Sequence, residues 1–177
     1  MRKFTIIILT AMMTVACSLF GRSSEFNNTP VTQLDLNRYL GTWYEIARFD
    51  HSFERGIEYA QADYSLKEDG TIKVFNSGMK NGKFKSSTGK AFLPDTNTPA
   101  LLRVSFFGPF YSDYRVLMVS PDYKYALVGS GKAKYLWILS RTPVLPEDVK
   151  QAILDEAVRR GYDISKLIWV EQDISQL

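Results

Sequence analysis

The stretch Gly41-Thr42-Trp43-Tyr44-Glu45-Ile46-Ala47-Arg48-Phe49-Asp50 decides the fold, together with Tyr135-Leu136-Trp137-Ile138-Leu139-Ser140-Arg141 far downstream. Both read as strands. A Gly-x-Trp opening the first strand and an Arg closing the last suit a closed antiparallel barrel, in which the first and last strands are neighbours. Arg141 would then lay its guanidinium across the Trp43 indole, a contact worth about 0.5–2 kcal/mol that shuts the barrel base. Gly41 suits a tight backbone approach just before the tryptophan.

Between these two stretches the hydrophobic period is mostly two, with turn signals every eight to twelve residues. It predicts strands over 42–49, 59–66, 71–78, 83–93, 101–107, 113–120, 124–130 and 134–141. The connections carry turn chemistry: Glu68-Asp69-Gly70, Asn81-Gly82, Gly108-Pro109, Pro121-Asp122 and Gly129-Ser130-Gly131. Only the connection from Asp50 to Glu58 is long, as a lid would be. Then the period changes to 3.6. Pro146-Glu147-Asp148 starts a helix with Val149, Ile153 and Ala157 on one face, and Gly161 stops it. A short strand, Leu167 to Val170, follows. The predicted class is all-β: an eight-stranded antiparallel up-and-down barrel, one C-terminal α-helix packed outside it, and a short ninth strand. Such a barrel has room inside for one small apolar ligand.

The N-terminus opens with Arg2 and Lys3, runs apolar from Phe4 to Ala16, and meets Cys17. This is an export signal, since a membrane span needs ~20 apolar residues. Thr14-Val15-Ala16-Cys17 resembles a bacterial lipoprotein cleavage box, with Thr14 where leucine is usual. The expected division is therefore 1–16 signal peptide, 17–33 lipidated flexible tether, and 34–177 folded domain, with Cys17 as the lipidation site. Ser18, rather than Asp, follows the cysteine; by resemblance to lipoprotein sorting in Gram-negative bacteria this implies the outer membrane, on its periplasmic face.

Cys17 is the only cysteine and His51 the only histidine, so no disulfide, thiolate metal site or common zinc site is expected. No cofactor is implied. Without Arg2 and Lys3 the chain has 20 basic and 19 acidic residues, with no block of like charge, which argues against nucleic-acid binding. Asp50-His51-Ser52 contains the residue types of a hydrolase triad, but consecutive side chains diverge and a triad needs convergent ones. The chain does not read as an enzyme.

These residues resemble the lipocalin family, most nearly its apolipoprotein D-like group and the bacterial outer-membrane lipoproteins within it. Gly41-Thr42-Trp43-Tyr44-Glu45 is similar to the first family motif. Asp122-Tyr123, preceded by Pro121 where the family usually has Thr, is similar to the second, and Arg141 to the third. The segments YEIARFDHSFERG, SFFGPFY and YLWILSRTP also look like bacterial members, so the resemblance spans the mature domain. It implies a barrel with an internal cavity and a role in the maintenance or transfer of membrane lipids.

Taking Trp43 and Arg141 as inward-facing, strict alternation turns Ala47, Phe49, Tyr135, Trp137 and Leu139 inward. The same logic selects Ala60, Ala62 and Tyr64, then Val104 and Phe106, Val116 and Met118, and Ala126 and Val128. The alanines leave volume and the larger residues form apolar walls, which suits an acyl chain better than a sugar or nucleotide. Tyr64, Tyr114 and Tyr135 offer hydroxyls, while Arg48, Arg55 and Lys132 near the open end would meet a carboxylate or phosphate. Glu45 should face inward, held in an ion pair. The expected ligand is a fatty acid or a lysophospholipid. The rival reading is an outer-membrane scaffold or interaction module, or a homodimer, using an apolar patch around Phe107, Phe110 and Tyr111.

Overall fold

The computed structural model describes residues 26–172. The predicted signal peptide, 1–16, and Cys17 lie outside the described residues. Residues 26–33, expected within the tether, are instead laid along the barrel wall: Asn27 N donates to Arg160 O and Val31 N to Val116 O, each at 2.9 Å. Next comes α1 (Leu36–Tyr39), one turn whose N-terminus is capped by the Asp35 carboxylate accepting from Asn37 N and Arg38 N.

Eight antiparallel strands follow: β1 (Gly41–Phe49), β2 (Glu58–Leu66), β3 (Ile72–Lys80), β4 (Lys83–Phe92), β5 (Leu101–Phe107), β6 (Phe110–Val119), β7 (Tyr125–Gly129) and β8 (Leu136–Ser140). Each pairs with the next, and β1 pairs with both β2 and β8, which closes the sheet. The period-two pattern makes the strands, and the turn residues set their ends. At the β3–β4 hairpin Asn81 (φ 53°) and Gly82 (φ 67°) both take the left-handed conformation that a two-residue turn between right-twisted strands requires. Tyr135 falls just before β8, on the loop.

β1 and β2 pair only from Gly41 to Tyr44, at the base. Beyond that they part, and β9 (Leu167–Trp169) pairs with Ala47–Phe49 of β1 instead. The gap is bridged by Gln172, whose Nε2 donates to Glu45 O and to Ala60 O, both at 2.8 Å. A buried side-chain amide thus satisfies carbonyls that the diverging ladder would leave bare.

Packing separates into an outer and an inner core. The helix α2 (Glu147–Arg159) starts with acidic residues favourable to its dipole and ends at Gly161, φ 85°. It buries Ile153 and Ala157 on the outer barrel face, against Ile46, Ala47, Phe49, Leu117, Leu127 and Ile138. Where α2 ends, Gly129 lets Tyr162 approach: a Cβ there would lie 2.6 Å from the Tyr162 hydroxyl and 2.9 Å from Leu117 Cδ1. Gly129→Ala should therefore cost about 1–3 kcal/mol through overpacking, read as a lower urea midpoint with unchanged slope.

Candidate functional site

The barrel interior is bounded by a closed base and a capped mouth. At the base, α1 brings Tyr39 beneath Trp43, with ring centroids 5.0 Å apart and Trp43 Nε1 donating to Tyr39 O at 2.8 Å. The Arg141 guanidinium carbon sits 3.8 Å from the Trp43 ring centroid. Its nitrogens donate to the carbonyls of Thr42 (2.7 Å), Arg38 (2.8 Å), Tyr39 (3.1 Å), Leu40 (2.7 Å) and Tyr123 (3.3 Å). Tyr123 in turn stacks under Arg38, and its hydroxyl accepts from Asp35 N at 2.7 Å. Asp122 pairs with Lys124 at the surface.

Above this floor three hydroxyls meet. Tyr114 OH lies 2.7 Å from Tyr39 OH and 3.2 Å from Tyr64 OH. Burial, first of all, pushes all three phenols above their ordinary range, so they stay protonated. Three hydroxyl protons serve two hydrogen bonds, which leaves one donor for another partner. On β3, Asn76 stands opposite Ala62, and its side-chain oxygen is buried with no hydrogen-bond partner among the described residues.

The middle of the interior is apolar. Val116, Ala126, Val128 and Leu139 pack together with Trp43, with Trp137 and Tyr64 partly buried against them. Ile72, Val74, Ala91 and Leu102 continue the lining, joined by Val104 and Phe106. Ala62 pairs with Trp43 across the β1–β2 ladder, which puts it on the same face, and Ala60 is buried where β2 leaves β1.

Three residues expected to face the ligand lie elsewhere. Ala47 and Phe49 belong to the outer core beneath α2, and Met118 packs against that same cluster. The cause is a register shift in each strand, between Glu45 and Ala47 on β1 and between Val116 and Met118 on β6. Each extra residue reverses the alternation, so Arg48 takes the inner position opposite Trp137 while Ala47 stands opposite Ile138. Tyr135, off the strand, stacks parallel to Trp137 with centroids 5.9 Å apart, at the mouth.

The mouth is capped by residues 50–57, held from inside. Arg48, 2% exposed, donates from Nη1 to Glu45 Oε1 at 2.6 Å and from Nη2 to the loop carbonyls of Glu54 (2.8 Å) and Ile57 (3.0 Å). Glu54 reaches back from the loop: its Oε2 accepts from Trp137 Nε1 at 3.0 Å and lies 2.9 Å from His51 Nε2. Burial, then the neighbouring Glu54 charge, pushes the Glu45 carboxyl up to about 8 despite Arg48. Contact with His51 and Trp137 holds Glu54 below its usual value. The two carboxyls thus share one proton near neutral pH, with the charge on Glu54. Arg55, by contrast, is exposed and pairs with Asp50 at 2.6 Å, and Lys132 is exposed on the β7–β8 loop.

Sequence reasoning missed Tyr39, Asn76, Glu54 and Gln172. Tyr39 and Glu54 precede and follow β1 on segments without strand period, where no alternation assigns a face. Asn76 was legible in principle as a polar residue at an inner position of β3.

This geometry has clear relatives. A family profile described as a lipocalin-like domain matches residues 34–172. The chain is 49% identical over 164 residues to the outer membrane lipoprotein Blc of Escherichia coli (strain K12), covering 92% of each chain. It is 42% identical over 147 residues to temperature-induced lipocalin-1 of Arabidopsis thaliana, covering 77% of this chain and 78% of that one. With apolipoprotein D of Cavia porcellus the identity is 34% over 180 residues, covering 94% of each. Among solved structures, insecticyanin from the tobacco hornworm Manduca sexta superposes with a TM-score of 0.70 at 25% identity, covering 84% of this chain and 86% of that one. Lobster apocrustacyanin A1, at 19% identity and a TM-score of 0.65 over 78% and 80% of the two chains, shares the fold. The chain belongs to the lipocalin family, whose members are binding and carrier proteins rather than enzymes.

Proposed function

We propose that this chain is a carrier that holds one fatty acid or lysophospholipid in the barrel, anchored to the outer membrane through a lipid on Cys17. The observation that carries the reading is the division of the interior: an apolar middle lined by Val116, Val128, Leu139, Val74 and Leu102, with polar groups at each end. An apolar lining of this kind suits an acyl chain, for which each buried methylene contributes about 0.8 kcal/mol. The uncommitted proton of the tyrosine trio and the unpartnered Asn76 oxygen suit a ligand's polar atoms. Release and uptake go past residues 50–57, whose attachment through Arg48 and Glu54 is breakable without disturbing the strands. The lipoprotein relatives at 43–49% identity are named for the outer membrane, which supports the same site here, as does the Thr14–Cys17 segment.

Native mass spectrometry of the mature chain with lysophospholipid and with free fatty acid tests this. One-to-one adducts are expected. Val128→Phe, filling the inner face, should weaken them at least tenfold. Met118→Phe, two residues from the inward Val116 but on the outer face, should leave them unchanged at a modest cost in stability. Absence of adducts with either lipid in the folded protein would sink the carrier reading in favour of a scaffold.

A further inference from the structure

Because the strands alternate in direction, four connections share the open end: residues 50–57, Asn81–Gly82, Gly108–Pro109 and residues 130–135. Four exposed phenylalanines stand on or beside three of them: Phe53 on residues 50–57 and Phe84 near the start of β4, each 64% exposed, and Phe107 (78%) and Phe110 (79%) flanking Gly108–Pro109. No other phenylalanine among the described residues is as exposed. Among them are Lys80, Lys83, Lys85, Lys132 and Lys134, none in an ion pair among the described residues. The acidic groups of this end are mostly engaged: Asp50 with Arg55, Asp113 with Arg103 and Arg115, and Glu54 half-buried in the mouth against His51 and Trp137, leaving the exposed Glu58. Toward the base, Lys67 pairs with Asp69 and Lys124 with Asp122, and of the described lysines there only Lys73 and Lys90 are outside an ion pair, against five at the open end. The open end is therefore both the aromatic end and the cationic end.

A second observation concerns the chain's path. Phe26 packs edge-on against Tyr162 at 5.3 Å, Tyr162 packs on Phe49 at the top of β1, and Asn28 Nδ2 donates to Ser130 O on the β7–β8 loop at 3.1 Å. Residue 26 thus stands against the barrel wall near the open end. Cys17 lies nine residues before it, a reach of at most ~30 Å, and nine-residue β1 is itself ~30 Å long. A lipid on Cys17 reaches a membrane under the open end easily, and one under the base only with the tether pulled straight.

We propose that the open end docks on an anionic phospholipid surface. Phe53, Phe84, Phe107 and Phe110 enter the interfacial layer while the lysines meet headgroup phosphates. A protein partner fits less well: protein interfaces are depleted in lysine, and these aromatics are spread over three connections around the rim, which a fluid headgroup layer accommodates and a rigid surface does not. The docking stands on the rim alone. Its use, passing a lipid between leaflet and barrel without crossing water, rests on the carrier reading above.

The test uses the mature acylated chain, in which Cys17 is consumed as a thioether, with a polarity-sensitive dye on Gly108→Cys or on Glu68→Cys and single labelling confirmed by intact mass. In vesicles of phosphatidylethanolamine and phosphatidylglycerol, 3:1 (about that ratio suffices to charge the surface), the dye at 108 should brighten severalfold and shift to the blue while the dye at 68 stays aqueous. Phosphatidylcholine vesicles, or Phe107→Ser with Phe110→Ser, should abolish the change. Lys83→Gln, Lys85→Gln and Lys134→Gln together should weaken it roughly a hundredfold, at about fivefold per lysine. An aqueous dye at 108 in every vesicle, or entry of the dye at 68 instead, would overturn the proposal. So would brightening at 108 with protein concentration alone, which assigns the rim to a second copy. Native mass spectrometry on the same variants separates the two readings: docking without internal adducts defeats the carrier alone, and adducts without docking defeat the rim alone.

Discussion

Arg141→Ala should lower the unfolding free energy by about 4 kcal/mol and the melting temperature by roughly 10 °C. The side chain donates to five carbonyls from three segments: Thr42 of β1, Arg38, Tyr39 and Leu40 of the α1 turn, and Tyr123 of the β6–β7 turn. Charge-assisted hydrogen bonds contribute about 1.5–3 kcal/mol each in isolation, but five on one guanidinium share a single charge and do not add. The cation–π contact with Trp43, at 3.8 Å, is lost with them. Alanine also leaves the α1 carbonyls turned toward a vacated, half-buried space. Arg141→Lys keeps the charge but not the planar fork, and should recover less than half of the loss. Equilibrium urea unfolding of the three proteins gives the answer; a loss under ~1 kcal/mol for alanine would show that the base is closed by Trp43 and Tyr39 packing alone.

The second large effect is a dependence on pH that comes from one inner carboxyl. The folded pKa of Glu45, about 8, lies above its unfolded value near 4.5. Below the unfolded value both states hold the proton, and above about 8 neither does. In between only the folded state holds it, so the stability this group contributes is present in acid and is lost as pH rises toward 8 and through it. The loss is of order a few kcal/mol, because ionised Glu45 then faces ionised Glu54 with one guanidinium, Arg48, between them. Glu54 works in the opposite sense in a separate window: its lowered pKa contributes stability above ~4.5 that is lost as pH falls through the lowered value. Stability should therefore peak in mild acid. Glu45→Gln should remove most of the decline between pH 5 and 9 while leaving the acid limb in place, as read from urea midpoints at pH 3, 5, 7 and 9. Parallel curves for the two proteins would mean that Glu45 is already ionised beside Arg48 in the folded state.

The same groups hold residues 50–57 across the mouth, so pH acts where a ligand must pass. Arg48 bonds the loop carbonyls of Glu54 and Ile57, and Glu54 is fastened by Trp137. None of this was visible in the residue pattern. Arg48 read as a cation near the open end that would meet a ligand's anion. In the structure its nitrogens Nη1 and Nη2 are committed to Glu45 and to the loop, which makes it a fastener.

Most of the barrel itself is legible in the sequence. Alternation and turn residues such as Asn81-Gly82 set the strands and their hairpins, because both act between residues a few positions apart. Trp43 and Arg141 told which strands meet, since a guanidinium stacked on an indole brings their two segments together; the fan of carbonyl bonds from Arg141 is visible only in the structure. The helix and its buried Ile153 and Ala157 were equally plain from the 3.6 period. What alternation does not carry is where it breaks. Ile46-Ala47 and Leu117-Met118 are apolar pairs that read the same with or without an extra residue, and only the register against β8 and β7 sends Ala47, Phe49 and Met118 outward and Arg48 inward. Tyr39, Glu54 and Gln172 come from segments without strand period and meet the barrel at its floor, its mouth and its β1–β2 gap. Local pattern sufficed for the elements and their order; the faces at the two bulges and the polar groups at each end were decided by tertiary structure, because they depend on which distant strand lies opposite and on what must satisfy its bare carbonyls.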